Sequence, residues 1–419
     1  MSLNLEPIAK VTVGGQVYAE GWQTWSPVRL YRVGETSPRP ADERSQVVIF
    51  RPGKPEPDGV IQPGGILAEG IMAVVPREGP TRVWFSPHPE RDVATMRLST
   101  DGELTADGPV EELEAADLAG ALSAVGDRLG IGQVRSIPPG WCSWSIYFKD
   151  VTEAAVVENA EAARRLELPI EIVEVDDGYE TEIGDWLDVR PEFGSLERLA
   201  ERIQALGMRP GIWIPPFMVS PASLLATKHP DWLVGGADAG MHWGQRMRIL
   251  DVANPAAAEY VAHVFRTFAG WGYSYFKLDF LYAAAIPGLD AYRQGMQLIR
   301  DAVGPEAIIL IGGAPLLPSI GLCDAMRIGP DVLPEEPDPQ IDLDNVVRIT
   351  RLRSWMHGRL WVNDPDCLVA RPEIKEREAW AAHLDGYGGL RFSSDNLAAL
   401  DRRGLELTRR FLGQAQHKQ

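Results

Sequence analysis

The sequence predicts two units in series, an N-terminal antiparallel β-sandwich followed by a (β/α)8 barrel. Three observations carry that expectation. Up to about residue 108, short alternating apolar runs are separated by Gly, Pro and Asp clusters, as in small sandwiches. From Trp141 the rhythm becomes strand, helix, strand, with eight candidate strands in a row. A doubly wound open sheet would need a glycine-rich phosphate loop after its first strand, and Trp141-Cys142-Ser143-Trp144 is nothing of the kind.

In order, the runs Ala9-Lys10-Val11-Thr12-Val13, Gln46-Val47-Val48-Ile49-Phe50 and Thr95-Met96-Arg97-Leu98-Ser99-Thr100 read as strands of a first domain over 1–108. Residues 111–129 are apolar at helical spacing, so 109–139 is expected to be a helical linker. It closes on Arg135-Ser136-Ile137-Pro138-Pro139-Gly140, a stiff approach to a barrel over 140–419. The barrel strands are expected to end near Trp144, Asp177, Pro215, Asp279, Gly313, Gly329, Asp364 and Ser394. Helical patterns lie between them at 152–165, 196–206, 256–268, 291–302, 343–356, 374–384 and 397–411. Right-handed crossovers, each covered by its helix, close such a series into a parallel barrel.

Bulk properties narrow the function. The 419 residues leave room for a barrel of about 250 residues plus a smaller domain. A net charge of −18 excludes nucleic acid and anionic membrane as partners, because no basic footprint is available. The start Met1-Ser2-Leu3-Asn4-Leu5-Glu6-Pro7 has neither a basic nor an apolar region of the signal-peptide kind, and no stretch approaches 18 uncharged apolar residues. Cys142, Cys323 and Cys367 are odd in number and widely spaced, as expected of free thiols in a reducing cytoplasm. The oligomeric state is left open, a homo-oligomer included. Thirteen Trp are either large core residues or stacking platforms for sugar rings.

The chemistry concentrates at strand ends, where a barrel keeps its active site. In Tyr275-Phe276-Lys277-Leu278-Asp279-Phe280, Lys277 and Asp279 are two apart and share a face, while Phe276, Leu278 and Phe280 point to the helices. A lysine within reach favours an ionised carboxylate, suited to a nucleophile; the alternative is a buried structural pair. In Arg327-Ile328-Gly329-Pro330-Asp331 the Gly-Pro ends the strand and lifts Asp331 out of the sheet. Two carboxyls about 5–5.5 Å apart across a pocket are the apparatus of a retaining glycosidase, the second holding its proton against the first charge. Asp331 could equally be a helix cap or turn residue, and Arg327 would orient a carboxylate or a hydroxyl. Asp176 and Asp177, adjacent in Val175-Asp176-Asp177-Gly178-Tyr179, suit the gripping of two hydroxyls of one ring. The seven His form no His-x-His or His-x-x-x-His pair, so neither a metal nor an organic cofactor is expected. Trp144 and Trp213 end the first and third strands and can stack on a pyranose or plug the barrel. Asn363, Asp364 and Asp366 close the seventh strand as supports without substrate contact.

Together, Gly140-Trp141-Cys142-Ser143-Trp144, Val175-Asp176-Asp177-Gly178-Tyr179, Ile183-Gly184-Asp185-Trp186, Phe276-Lys277-Leu278-Asp279-Phe280, Pro315-Leu316-Leu317-Pro318, Arg327-Ile328-Gly329-Pro330-Asp331 and Trp361-Val362-Asn363-Asp364-Pro365-Asp366-Cys367 resemble the retaining α-galactosidases (melibiases) of glycoside hydrolase family 36. The likeness runs from about residue 140 to about 411. It implies hydrolysis of terminal α-D-galactosides, with Asp279 as nucleophile and Asp331 as acid/base. It further implies a galactose pocket lined by Trp144, Asp176, Asp177, Trp213, Lys277 and Arg327. Gly21-Trp22-Gln23-Thr24-Trp25-Ser26-Pro27 resembles a segment that reaches over the barrel mouth, with Trp25 the contact, on its own barrel or a neighbour's. Against the family pattern, the N-terminal domain is short, a C-terminal β domain is expected to be absent, and Gly312 stands where a Cys is usual. The last departure predicts a wider pocket at the sugar's 2-position. The alternatives are therefore an α-N-acetylgalactosaminidase, a raffinose-synthase-like galactosyl-transferring enzyme and, from another class, a non-catalytic sugar-binding protein.

Overall fold

Alternation in the first hundred residues becomes two antiparallel sheets packed face to face. The computed structural model describes residues 5–12, 14–38, 42–52, 65–333, 341–387 and 389–414. One sheet runs in the order Glu6–Lys10, Glu103–Ala106, Thr95–Ser99, Gly65–Glu69. The other runs Arg29–Arg32, Gln16–Ala19, Ile71–Val75, Thr81–Phe85, Glu111–Ala115. Val17, Ala19, Met72, Val74 and Trp84 fill the sandwich interior against Ile66, Ala68, Met96, Leu98 and Leu104. Their strand neighbours Tyr18, Ile71, Ala73, Val83 and Phe85 join the core shared with the barrel. The central strand of that second sheet is covered on both faces, which explains the unbroken apolar run Ile71–Val75.

Three expectations are corrected here. The first strand is Glu6–Lys10 rather than a run starting at Ala9, and Val13 lies outside the described residues. Glu111–Ala115 is an edge strand paired with Thr81–Phe85, so the linker helix begins only at Leu118, where the Asp117 side chain caps it by accepting from the Gly120 N–H. Gln46-Val47-Val48-Ile49-Phe50 is not a strand. Ser45–Ile49 forms one π-helical turn whose carbonyls at Val48 and Ile49 accept from Gln23 Nε2 and Ser26 Oγ. Tertiary hydrogen bonds override the β-branched propensity of that run.

The barrel strands are Gly140–Cys142, Ile172–Val175, Arg209–Ile214, Tyr275–Leu278, Ile308–Ile311, Ala325–Arg327, Val362–Asp364 and Phe392–Ser393. All seven neighbouring pairs implied by this order, save the seventh with the eighth, are parallel ladders, the first strand pairing the eighth. Closure between the seventh and eighth comes from the Leu390 N–H donating to the Asn363 carbonyl at 2.8 Å and a parallel bridge from Leu368 to Ser393. Polar caps start the helices between them: Thr152, Ser195, Asp342 and Asp401 accept from backbone N–H groups of the first turn, and Asn254 does so ahead of Pro255. Inside the barrel, Ile172, Tyr275, Ile308, Leu310, Ala325, Val362 and Phe392 pack into an apolar plug, below the C-terminal ends of the strands where a barrel keeps its site.

The two units are locked together by one buried cation. Arg353 donates to Glu20 Oε1 at 3.1 and 2.7 Å and to the Thr24 carbonyl at 2.7 Å, with both charged side chains 0% exposed. The Thr24 N–H in turn donates to the Ala314 carbonyl, and Gln23 bridges to Pro315. The chain therefore covers its own barrel mouth. Among the described residues, no helix is long and apolar enough to cross a membrane.

Candidate active site

A cavity of about 550 Å³ opens at the C-terminal ends of the barrel strands. Trp25, Trp144, Asp176, Asp177, Trp213, Lys277, Asp279 and Asp331 all line it, so eight of the ten residues singled out from sequence meet in one place. Arg327 and Gly312 lie directly behind its wall.

Asp279 follows the fourth strand. Its Oδ1 accepts from the Phe280 N–H at 2.8 Å and its Oδ2 from Trp213 Nε1 at 3.2 Å. Burial pushes its pKa up, the Asp331 charge adds to this, and Lys277 opposes it. The lysine does not bond Asp279 itself. Its Nζ donates to Asp176 Oδ2 at 2.5 Å, in a pair buried on both sides. Lys277 holds Asp176 below the usual carboxylate range against the effect of burial. Lys277 thus acts on Asp279 through space, its charge favouring the ionised form without a bond between them.

Asp331 lies beyond the sixth strand, and its side chain is 44% exposed. Each oxygen accepts one bond: Oδ1 from Arg327 Nη1 at 2.6 Å, Oδ2 from Trp144 Nε1 at 3.0 Å. Arg327 is buried and divides its remaining donors between Asp364 Oδ2, at 2.8 Å from Nε, and Asp366 Oδ1, at 2.9 Å from Nη2. Burial and the Asp331 and Asp364 charges, opposed by Arg327, push Asp366 up to about 6. One guanidinium thereby fixes the Asp331 carboxylate from behind (Asn363, expected in the same supporting role, accepts from Trp361 Nε1).

Asp177 accepts from Trp243 Nε1 at 2.8 Å. Trp243 and His242 stand on a hairpin, Met241–His242 paired with Gln245–Arg246, that sequence reasoning missed. Both central residues of its turn, Trp243 (φ 49°) and Gly244 (φ 72°), are left-handed. A Trp-Gly pair between short polar runs was the available signal. Arg44, Val48 and Ile49, also lining the cavity, were hidden by the misread π-turn. Phe280 was expected to face the helices. Its φ of 51° breaks the strand alternation, and its ring instead turns into the pocket against Trp25 at 5.3 Å and Trp243 at 5.0 Å. Trp25, reaching from the N-terminal unit of the same chain, packs so closely that a Cβ on Gly313 would lie 2.8 Å from its ring.

Gly312 stands against the Asp279 side chain. A Cβ there would lie 2.9 Å from Asp279 Oδ1, closer than such atoms approach, so the missing side chain leaves room for the Asp279 carboxylate.

The chain is similar to known proteins in sequence and in fold. Residues 138–290 match the Melibiase family model. A 127-residue stretch is 33% identical to α-galactosidase AgaA of Geobacillus stearothermophilus, covering 28% of this chain but only 17% of that protein. The structure of the α-galactosidase TtGalA from Thermus thermophilus, solved with stachyose, superposes with a TM-score of 0.81 at 26% identity, covering 98% of this chain and 97% of that one. The family 36 enzyme AgaA shares the fold with a TM-score of 0.66 at 15% identity, over 96% of this chain and 61% of its own.

Proposed function

We propose that this chain, which belongs with the family 36 α-galactosidases, hydrolyses terminal non-reducing α-D-galactosyl residues with retention of configuration. One observation carries the reading. Asp279 and Asp331 face the same cavity, each held by an indole N–H, one sheltered and one open to water.

Asp279 attacks the anomeric carbon while Asp331 gives a proton to the departing oxygen, breaking the glycosidic bond and leaving a galactosyl ester on Asp279. Asp331 then takes a proton from water, which attacks the same carbon and releases α-galactose. Asp176 and Asp177 grip sugar hydroxyls, oriented by Lys277 and Trp243. Trp25, Trp144 and Trp213 offer apolar faces to the ring. The Thermus relative was solved with stachyose, and an oligosaccharide of that class is the substrate proposed here. The three free buried thiols support a cytoplasmic setting.

The test is proton NMR of the sugar first released from p-nitrophenyl α-galactoside. The α anomer is expected, with weak or no turnover of the α-glucoside. A β anomer first, or equal rates on both sugars, would overturn the reading.

A further inference from the structure

The pocket floor holds an acidic group that the proposed mechanism leaves unused. Glu174 precedes Asp176 by two residues on the second strand, so both side chains point into the barrel. It is 1% exposed, and its Oε1 has no hydrogen-bond partner among the described residues. A Glu174 oxygen, an Asp176 oxygen and the Cys142 sulfur converge within 4.8 Å.

The groups that face it are few. Cys142 comes from the first strand and Asp176 from its own, while the fourth strand supplies Tyr275 and Lys277. The third supplies Gly211, where a Cβ would lie 3.2 Å from that of Glu174, so a glycine there gives the acid its space. Lys277 is the single cation of this set, and it already bonds Asp176.

Two ionised carboxylates against one ammonium would leave a net charge in a water-excluded core, which costs more than taking up a proton. A neutral Glu174 removes that charge and gains a donor, and Asp176 holds an oxygen within 4.8 Å of one of its own. Burial, with Cys142 and Asp176 beside it, pushes Glu174 well above the usual carboxylate range.

We propose that Glu174 is a positioning residue, a neutral acid that donates its proton to Asp176 and, with Lys277, fixes the orientation in which Asp176 meets the substrate hydroxyls. The proposal rests on the reading of Asp176 as a galactose contact. Glutamine at this place can donate an amide N–H but cannot ionise; valine can do neither. Wild type, Glu174→Gln and Glu174→Val are compared in the full chain by two readouts.

The first is infrared difference spectroscopy of the sugar-free proteins at neutral pH, which needs no turnover. Wild type is expected to carry a protonated-carboxyl C=O band that Glu174→Gln lacks. The second is the pH dependence of KM and kcat on p-nitrophenyl α-galactoside. Glu174→Gln is expected to stay within about threefold of the wild-type KM and to lose the alkaline rise in KM that marks ionisation of Glu174, whereas Glu174→Val raises KM about tenfold with kcat less affected. The proposal is overturned if no band is lost, if glutamine is as damaging as valine, or if valine matches wild type. A wild type inactive on galactosides would sink the functional reading alone, since the infrared band still reports the state of Glu174.

Discussion

On the pocket floor, Asp176 and Lys277 are paired and Asp279 is sheltered, all carried by the second and fourth barrel strands or their immediate ends. On the rim, Asp331, Trp243 and Trp25 stand on turns and on a segment borrowed from the N-terminal unit. The floor is held by strand geometry and by a largely buried ion pair. The rim is held by single hydrogen bonds from indoles and one guanidinium, and by the docking of two domains. The division suits the two roles proposed for Asp279 and Asp331. A nucleophile needs a fixed position, whereas an acid/base must exchange protons with leaving group and water.

The floor should therefore be the more sensitive to change. Asp279→Ala is expected to lower kcat on the order of 10⁴-fold or more, with azide restoring turnover and giving the β-galactosyl azide. Asp331→Ala should still form the ester from substrates with good leaving groups, and azide should then give the α-azide. Exchange of the two azide anomers between the variants would reverse the roles.

Burial raises the Asp279 pKa, so the folded state holds that proton more tightly than the unfolded chain. Its contribution to stability is then fully present below the unfolded pKa and lost as pH rises through the folded one. Asp279→Asn should accordingly be inactive yet melt higher than wild type at neutral pH, with the gain vanishing in acid. The same shift predicts that wild-type kcat/KM falls as pH drops through a value above the ordinary aspartate range. A melting gain that persists unchanged in acid would contradict this.

The dock comes next. Arg353→Met leaves Glu20 buried and unpaired, at a cost of about 3–5 kcal/mol by denaturant unfolding. A loss below 1 kcal/mol would mean that the rim is anchored elsewhere. Gly312→Ala should displace the Asp279 carboxylate and lower kcat roughly 10- to 100-fold with little change in KM, since about 1 Å of misplacement is felt at this level. Unchanged kcat would return Gly312 to the role of a mere gap in the wall. The smallest effect belongs to the rim: Trp243→Phe removes one hydrogen bond to Asp177 and should raise KM about fivefold.

The same division governs what the sequence disclosed. Period-two spacing put Lys277 and Asp279 on one face, and adjacent acids at a strand end marked Asp176 and Asp177; regular strands turn spacing into geometry. The rim obeys no such period. Trp243, Phe280 and Asp366 all adopt positive φ, a conformation that a Trp or Phe reveals only once its surroundings are known. Arg44 stayed hidden because Val47, Val48 and Ile49 look like a strand until Gln23 and Ser26 bond their turn. Period two also puts Glu174 on the face of Asp176, but nothing in a lone Glu amid Val and Ile shows that it lacks a cation of its own.

The most direct test of the central claim is to trap the covalent intermediate. Wild-type protein inactivated by 5-fluoro-α-galactosyl fluoride and digested with protease should yield one sugar-bearing peptide, with the label located by tandem mass spectrometry on Asp279. A label on Asp331 or Asp176, or inactivation without any covalent mass increase, would contradict the account.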